Sequence, residues 1–196
     1  MISANFVLAL LSKAFIANAG TITEQTFDPT PLGTFGPTFG PTLGPTIEPN
    51  DCSDILSVRP DAVNGDYSII NGKDGDIREF VVYCHGMGTD EPREYVTLDD
   101  PNNNFSRYAA GGHSPGTDVI AKYSKVRLDP YTLEVDLNDK TFSDSTGSLN
   151  HVGGSAVTSM PYGVAMDCIG SSSSAGTAKI DLTNTIFRID DTFVTL

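Results

Sequence analysis

Residues 66–83 read DYSIINGKDGDIREFVVY, and this stretch decides the fold class of the chain. Its two ends, 66–70 and 78–83, are rich in β-branched and aromatic residues, whereas 71–76 contains only Asn, Gly, Lys and Asp. Asn-Gly dipeptides favour the tight turns of hairpins, because those turns need a positive φ. We therefore predict an antiparallel β-hairpin with Asn71-Gly72 in its turn.

Short runs of the same kind continue towards the C-terminus, separated by Gly, Asn, Asp and Pro. A helical pattern is confined to 53–58, a single turn with Asp51 or Ser53 as its cap. Strands this short favour an antiparallel arrangement over a parallel α/β sheet. The prediction is a mostly β fold, an antiparallel β-sandwich-like domain. Its further strands are predicted at 94–98, 122–128, 132–137, 178–182, 186–189 and 192–196.

The first 19 residues have the features of a signal peptide. Residues 2–11 are almost entirely apolar, and Ala17-Asn18-Ala19 gives the small-x-small pattern of a cleavage site before Gly20. We therefore expect cleavage between Ala19 and Gly20, and a secreted, extracellular protein. The apolar run is too short to cross a bilayer, so we expect no membrane span.

Residues 20–50 form a Pro/Gly/Thr-rich linker with FGPT-type repeats over 32–46. Proline at every fourth position removes a backbone donor, and glycine raises the entropic cost of ordering. We predict a disordered, extended and semi-stiff spacer. Phe35, Phe39 and Leu43 recur at the same spacing, so a partner-binding stripe is the alternative interpretation. Residues 51–196 remain as one domain with its own core.

The charge balance limits the kinds of partner. The chain has 12 Lys and Arg against 25 Asp and Glu, a formal net charge of −13. An acidic surface repels phosphate backbones and anionic lipids. We therefore expect no nucleic-acid partner.

Three cysteines, Cys52, Cys84 and Cys168, allow one disulfide and leave one thiol over. An exported domain of this size benefits from a bridge. A Cys52–Cys84 pair would attach the predicted helical turn to the hairpin. The residues alone leave both pairings with Cys168 open.

Several stretches, in this order, resemble the GON domain, a module best known from the C-terminus of certain ADAMTS-type secreted metalloproteases. They are 51–55 (DCSDI), 82–84 (VYC), 91–98 (EPREYVTL), 125–130 (KVRLDP) and 160–168 (MPYGVAMDC). The resemblance implies a mostly β extracellular module that binds a protein or matrix partner. Zinc enters only as an association with the proteases that carry the domain.

The resemblance also bears on the cysteines. A Cys-x-Asp-Ile opening followed by Tyr-Cys after the hairpin also occurs at the start of fibrinogen-like domains, where the two positions pair, which implies a Cys52–Cys84 disulfide. In the GON family another cysteine follows the position of Cys168 six residues later, and here that position is Ser174. Cys168 is therefore expected to be a free thiol or to form an intermolecular disulfide.

The protease chemistry of those relatives has no counterpart here. A zinc protease needs His-Glu-x-x-His, so that both imidazoles reach one metal. His85, His113 and His151 are isolated from one another. Residues 112–116 (GHSPG) superficially resemble Gly-x-Ser-x-Gly, but no strand–turn–helix pattern surrounds them. We predict no enzymatic activity and no catalytic, cofactor-binding or metal-binding residue.

Two loops, 99–104 and 74–76, offer oxygen ligands of the kind that Ca²⁺ takes. Neither has the spacing of an EF-hand. Because Asp and Asn commonly bond their own backbone, we predict ordinary turns without bound calcium.

Asn104-Phe105-Ser106 matches the N-glycosylation sequon. We expect it to lie in an exposed loop, which makes Asn104 the candidate glycosylation site of a glycoprotein.

The sequence thus predicts a non-catalytic secreted module that binds an extracellular protein or matrix component. The alternative is a lectin-like carbohydrate-binding module, prompted by the fibrinogen-like opening and the Asx-rich loops.

Overall fold

The computed structural model describes residues 7–8, 48–73, 76–151, 154–167 and 175–187. The remaining predictions for the leader, most of the linker, the end of the strand predicted at 186–189, and the strand predicted at 192–196 lie outside these residues. Residues 186 and 187, the described part of the strand predicted at 186–189, are not in a strand. In the described part, the helices are α1 (Cys52–Val58) and the 3₁₀ turn η1 (Pro101–Asn103). The strands are β1 (Val7–Leu8), β2 (Gly65–Lys73), β3 (Asp76–His85), β4 (Arg93–Thr97), β5 (Phe105–Ala109), β6 (Val119–Tyr123), β7 (Lys125–Asp129), β8 (Glu134–Asp136), β9 (Ser143–Thr146), β10 (Leu149–Asn150), β11 (Ala156–Val157), β12 (Val164–Asp167) and β13 (Thr177–Lys179).

The predicted hairpin is confirmed as β2 and β3, the first two strands of sheet 1, whose order is β2-β3-β4-β7-β8 and whose pairs are all antiparallel. Its turn lies further along the chain than predicted, because Lys73 pairs with Asp76 and only residues 74 and 75 join the strands. The Asp-Gly at 74–75 suits a two-residue turn as well as Asn-Gly does. Using it adds the cross-strand pairs Asn71–Arg78, Gly72–Ile77 and Lys73–Asp76.

Sheet 2 has the order β1-β12-β5-β6-β9, with β13 also paired to β5. Its pairs are antiparallel except that of β12 with β5, which is parallel. Strand β1 lies within the predicted leader, and its Leu8 is opposite Val164. Strands β10 and β11 form a separate two-stranded ribbon. The mostly β prediction is confirmed.

The single strand predicted at 122–128 is wrong. Residues on both sides of Ser124 are strands, but β6 belongs to sheet 2 and β7 to sheet 1. Buried side chains alternate up to Tyr123 and then resume at Val126, three residues later. This shift in phase lets both strands turn an apolar face towards the same interior while the chain crosses between the sheets.

One core joins the sheets. Buried side chains from sheet 1 and sheet 2 belong to one hydrophobic cluster, which also includes Cys52 and Ile55 of α1. Its members from the central strands include Val82, Val96, Val126 and Leu128 from sheet 1, and Tyr108, Val119, Ala121 and Tyr123 from sheet 2. This is the arrangement of a β-sandwich, with α1 packed on the cluster.

Among the described residues, the structure contains no helix of sufficient length and apolar character to cross a membrane.

Candidate functional site

The N-terminus of α1 forms one wall of the candidate site. Asp51 caps the helix, and its Oδ1 accepts a hydrogen bond from the Asp54 N–H at 2.7 Å. In the next position, Cys52 forms a disulfide with Cys84, 32 residues away, as the family resemblance implied. Both cysteines are fully buried. The bridge therefore fixes the start of α1 against β3.

Glu94 holds the same end of the helix from β4. Its Oε1 accepts a hydrogen bond from the Cys52 N–H at 2.7 Å, and the residue is only 9 % exposed. A carboxylate is favourable beside the unsatisfied N–H groups of a helix N-terminus. Burial nevertheless raises the pKa of Glu94, and the nearby Asp51 raises it further, against the lowering effect of the Cys52 hydrogen bond. The buried carboxyl is thus held at a cost in desolvation.

The connection between β7 and β8 forms the opposite wall. The Oδ1 of Asp129 accepts hydrogen bonds from the N–H groups of Tyr131 and Thr132, at 2.8 and 3.1 Å. Leu133 follows with φ of 57°, an uncommon conformation for a leucine, and its side chain is buried in the core. Burial of this side chain and the Asp129 bonds offset the strain, so the turn presents Tyr131 in a fixed place.

Tyr131 connects the two walls. Its hydroxyl donates to Asp51 Oδ2 at 2.5 Å, although 59 % of the side chain is exposed. The hydrogen bond to Asp51, followed by burial, raises the pKa of Tyr131 to about 12. The phenol therefore stays protonated and keeps donating throughout the physiological pH range.

Between these walls lies an open cleft of about 430 Å³. Among the described residues, Arg127 is the only basic one lining it, and its guanidinium lies 3.7 Å from a carboxylate oxygen of Asp136. Five acidic residues line the cleft: Asp51, Glu94, Asp129, Glu134 and Asp136. The lining is therefore strongly acidic, and we call this site the acidic cleft.

Comparison with known proteins identifies the domain. A family model described as the GON domain matches residues 49–117 and 113–195. The chain belongs to the GON domain family. The two matched segments overlap at 113–117, within the loop that follows β5. Comparisons with curated proteins and with solved structures gave no match.

The three histidines of this GON domain lie in different surroundings. The ring of His85 packs edge-on against Phe142, with centroids 5.1 Å apart. His113 is exposed in the turn at 111–114, and His151 accepts from or donates to the hydroxyl of Tyr108 at 2.5 Å. Across the described ranges, no group of three or more His, Cys, Asp or Glu side chains is placed to hold a metal ion.

Ser114, the serine of the Gly-x-Ser-x-Gly-like stretch, is completely buried. Its hydroxyl is 3.0 Å from the Tyr108 hydroxyl, which also contacts His151. A substrate carbonyl has no access to this oxygen. The Ser114–Tyr108–His151 chain fastens the loop after β5 to the loop after β10.

Asn104 is not exposed, and the prediction of an exposed loop is wrong. The side chain is completely buried. Its Oδ1 accepts from the Tyr162 hydroxyl at 2.7 Å and from the Asp181 N–H at 2.9 Å, while its Nδ2 donates to the Asp100 carbonyl at 3.1 Å. Ser106 of the same sequon is also buried, and its hydroxyl accepts from the Val164 N–H. Both polar residues join three segments of the GON domain, which is a structural role.

The Asx-rich loop at 99–104 forms turns. Asp100 Oδ1 accepts from the Asn102 N–H at 2.8 Å and caps η1, and Asp99 accepts from the Asn184 amide. The carboxylates are thus used by neighbouring donors. In the second loop, residues 74 and 75 lie outside the described residues, and so do Ala19, Gly20 and Cys168.

Two residues of the candidate site that sequence reasoning missed are Glu94 and Tyr131. Glu94 lies in residues 91–98, one of the stretches that resemble the GON domain. No neighbouring residue in the sequence distinguishes it from an exposed glutamate on a strand. A signal existed for Tyr131, because Asp-Pro-Tyr-Thr is a typical turn sequence that presents its central residues. Its bond to Asp51, 80 residues away, is visible only in the structure.

Proposed function

We propose that this GON domain is a secreted, non-catalytic module that binds an extracellular protein or matrix partner through the acidic cleft. The observation that carries the proposal is the cleft itself, a concave surface with five carboxylates and one arginine. The disulfide supports secretion, since such bridges persist in oxidising compartments.

The chemistry of the cleft favours binding over catalysis. Three of its five carboxylates already serve structural donors in the two walls: Asp51 and Glu94 hold α1, and Asp129 holds the β7–β8 turn. No Ser, Thr or Cys among the described lining residues has a histidine beside it. A rigid, engaged set of side chains suits recognition of a complementary surface.

The charge of the cleft defines the partner. Because the lining has an excess of four negative groups over Arg127, a basic segment rich in Lys or Arg complements it. Exposed Glu134 at β8 is available to such a segment, and the rim position of Tyr131 offers an aromatic face to a cation.

The test is retention of partners from solubilised extracellular matrix and conditioned medium on the immobilised chain. Glu134→Lys should weaken retention, and added salt should weaken it in the wild type. Asp90→Lys is the matched control, since Asp90 is exposed, makes the same charge change and does not line the cleft. Equal retention of partners by Glu134→Lys and Asp90→Lys would contradict the proposal. So would a wild-type chain that retains no protein above the level of blank resin. Chelator-sensitive hydrolysis of casein or gelatin by the purified chain would contradict its non-catalytic part.

A second candidate is carbohydrate binding. The exposed ring of Tyr131 beside several carboxylates supports it, because sugars stack on aromatic faces and donate their hydroxyls to carboxylates. A glycan array run with and without Ca²⁺ tests it. If the chain binds no glycan in either condition, carbohydrate binding is excluded.

A further inference from the structure

Strand β2 has an Asn-Gly dipeptide near each of its ends. Asn64-Gly65 lies at its start, and Asn71-Gly72 lies close to the hairpin turn. Each follows a β-branched residue, Val63 in the first case and Ile70 in the second. Glycine has no Cβ to hinder the approach of its nitrogen to the preceding side chain. The two dipeptides therefore share the local chemistry of an asparagine that can lose its amide, and they differ in how the fold holds them.

The reaction is deamidation, with solvent water as the co-reactant. At 71–72, the nitrogen of Gly72 gives up its proton and forms a bond to Cγ of Asn71. The Cγ–Nδ2 bond breaks, and the amide leaves as ammonia together with that proton. Water then opens the resulting succinimide ring on either side of the shared nitrogen, which yields an aspartate or an isoaspartate. No oxidant or reductant takes part.

The attacking nitrogen is oriented differently at the two sites. Ile70 donates its N–H away from β3, to the Pro49 carbonyl at 2.8 Å. Because backbone groups alternate between the two sides of an antiparallel strand, the N–H of Gly72 also points away from β3, towards the edge of sheet 1. Gly65 has the opposite phase and faces Cys84, which the disulfide fixes. The β2–β3 ladder thus restrains the nitrogen of Gly65 but not that of Gly72.

The side-chain amides also have different anchors. Asn64 Oδ1 accepts from the Met87 N–H at 2.8 Å, and its Nδ2 lies 3.4 Å from His85 Nδ1. Met87 is a core residue, only 3 % exposed. The Nδ2 of Asn71 donates to the carbonyl of Asn50, an exposed residue where the chain enters the domain, at 3.3 Å. Ring closure at Asn64 would therefore leave a donor of the core without its acceptor.

The position of Asn71 in the ladder adds to the difference. Only the pairs Gly72–Ile77 and Lys73–Asp76 lie between it and the hairpin turn. The end of a ladder opens at a lower free-energy cost than its middle. Opening of these two pairs gives the main chain the freedom to turn the Asn71 side chain towards the next nitrogen.

From these observations we propose that Asn71 is a deamidation site of the folded chain and that the fold protects Asn64. A carboxylate at 71 cannot donate to the Asn50 carbonyl, and Arg78, its partner across the hairpin, attracts it. An isoaspartate also lengthens the main chain and shifts β2 against β3. Modification therefore loosens the junction at which the linker enters the domain. The inference is independent of the acidic cleft, and the failure of one leaves the other standing.

The test is ageing of the folded whole chain in mildly alkaline buffer, followed by peptide mapping with mass spectrometry. Asn71 should be converted about 5–30-fold faster than Asn64, because one or two hydrogen bonds change an opening equilibrium by about that factor. In urea, where the fold holds neither side chain, the two rates should become similar. Gly72→Ala should slow conversion at 71 and leave conversion at 64 unchanged.

Two results would overturn the proposed site. One is conversion of Asn64 in the folded chain at a rate equal to or above that of Asn71. The other is conversion of Asn71 no faster than that of Asn138, an exposed asparagine that is followed by an aspartate.

Asn71→Asp supplies one product of the reaction directly. In this variant, hydrogen exchange at the N–H of Ile70, which donates to Pro49, should be faster than in the wild type. Exchange at the N–H of Tyr123, which donates to the Asn104 carbonyl in sheet 2, should not change. Unchanged exchange at Ile70 would contradict the loosening of the junction.

Discussion

Replacing Asn104 by alanine should strongly destabilise the domain, although sequence reasoning placed this residue in an exposed loop. In the structure it is buried and joins η1 to two distant segments through Tyr162 and Asp181. Alanine removes the acceptor of two donors at once. The Tyr162 hydroxyl has no access to water, because its residue is 1 % exposed.

The magnitude follows from these orphaned groups. The Tyr162 hydroxyl, a buried donor left without a partner, costs about 1–3 kcal/mol, and the Asp181 N–H, whose residue is only partly buried, adds less, so the total is roughly 2–4 kcal/mol, with a central value of about 3. For a domain of this size, each kcal/mol lowers Tm by about 2–4 °C, which gives a fall of roughly 6–12 °C. This is a large share of the 5–15 kcal/mol that typically stabilises a native domain.

Urea denaturation followed by far-UV circular dichroism and tyrosine fluorescence measures the effect. Asn102→Ala is the matched control, since Asn102 is an exposed asparagine of the same loop and should change stability by less than about 0.5 kcal/mol. In a Tyr162→Phe background, Asn104→Ala should cost about 1–2 kcal/mol less than in the wild type, because no hydroxyl is left orphaned. The reasoning would be refuted if Asn104→Ala lowered the free energy of unfolding equally in the wild-type and Tyr162→Phe backgrounds. A cost below about 1 kcal/mol for Asn104→Ala alone would also refute it.

Three further predictions concern the disulfide, the buried carboxyl and the sequon. Replacing Cys52 and Cys84 by serine should lower the free energy of unfolding by about 3–4 kcal/mol for a separation of 32 residues, measured in urea against the oxidised chain. Glu94 has a raised pKa in the folded state, so its contribution to stability is present below its unfolded pKa and is lost as pH rises through the folded value. Glu94→Gln keeps an acceptor for the Cys52 N–H and should not show this loss in urea titrations from pH 4 to 7; an identical pH profile for both proteins would contradict the assignment. Mass spectrometry of the folded chain secreted from eukaryotic cells should find Asn104 without a glycan, because its Nδ2 is buried against a carbonyl.

The parts of the fold that sequence predicted are those with local causes. The β2–β3 hairpin and the cap of α1 by Asp51 follow from residues within one turn of each other. The hairpin turn was displaced because Asn-Gly and Asp-Gly carry the same local preference. Only the three extra cross-strand pairs decide between them.

The break at Ser124 has a local signal in the sequence. Ser124 and Lys125 are two consecutive polar residues, so strict alternation ends there. A strand that keeps one face buried cannot lose one step of its period without turning its apolar residues to the other side. Here the chain changes sheets at that point, and the new phase suits the new sheet.

The site could not be predicted to the same extent, because its bonds join residues far apart in the chain. Asn104 is held by partners 58 and 77 residues away, and Glu94 bonds a residue 42 positions earlier. A sequon and a strand glutamate have the same local appearance whether they are exposed or buried. The free energy that buries them comes from partners that no local pattern specifies.

The acidic cleft depends on two long-range restraints of α1. A helix of seven residues is too short to persist on its own in water, so its position must come from tertiary bonds. Those bonds meet at Cys52, whose sulfur is joined to Cys84 and whose N–H is held by Glu94. Asp51, the residue before it, supplies the carboxylate to which Tyr131 donates from the opposite wall. Reduction would therefore loosen the helix, release Asp51 from Tyr131 and open the cleft on one side. The proposed binding surface thus requires the oxidised chain, and this requirement is the physical link between the cleft and the proposed secretion.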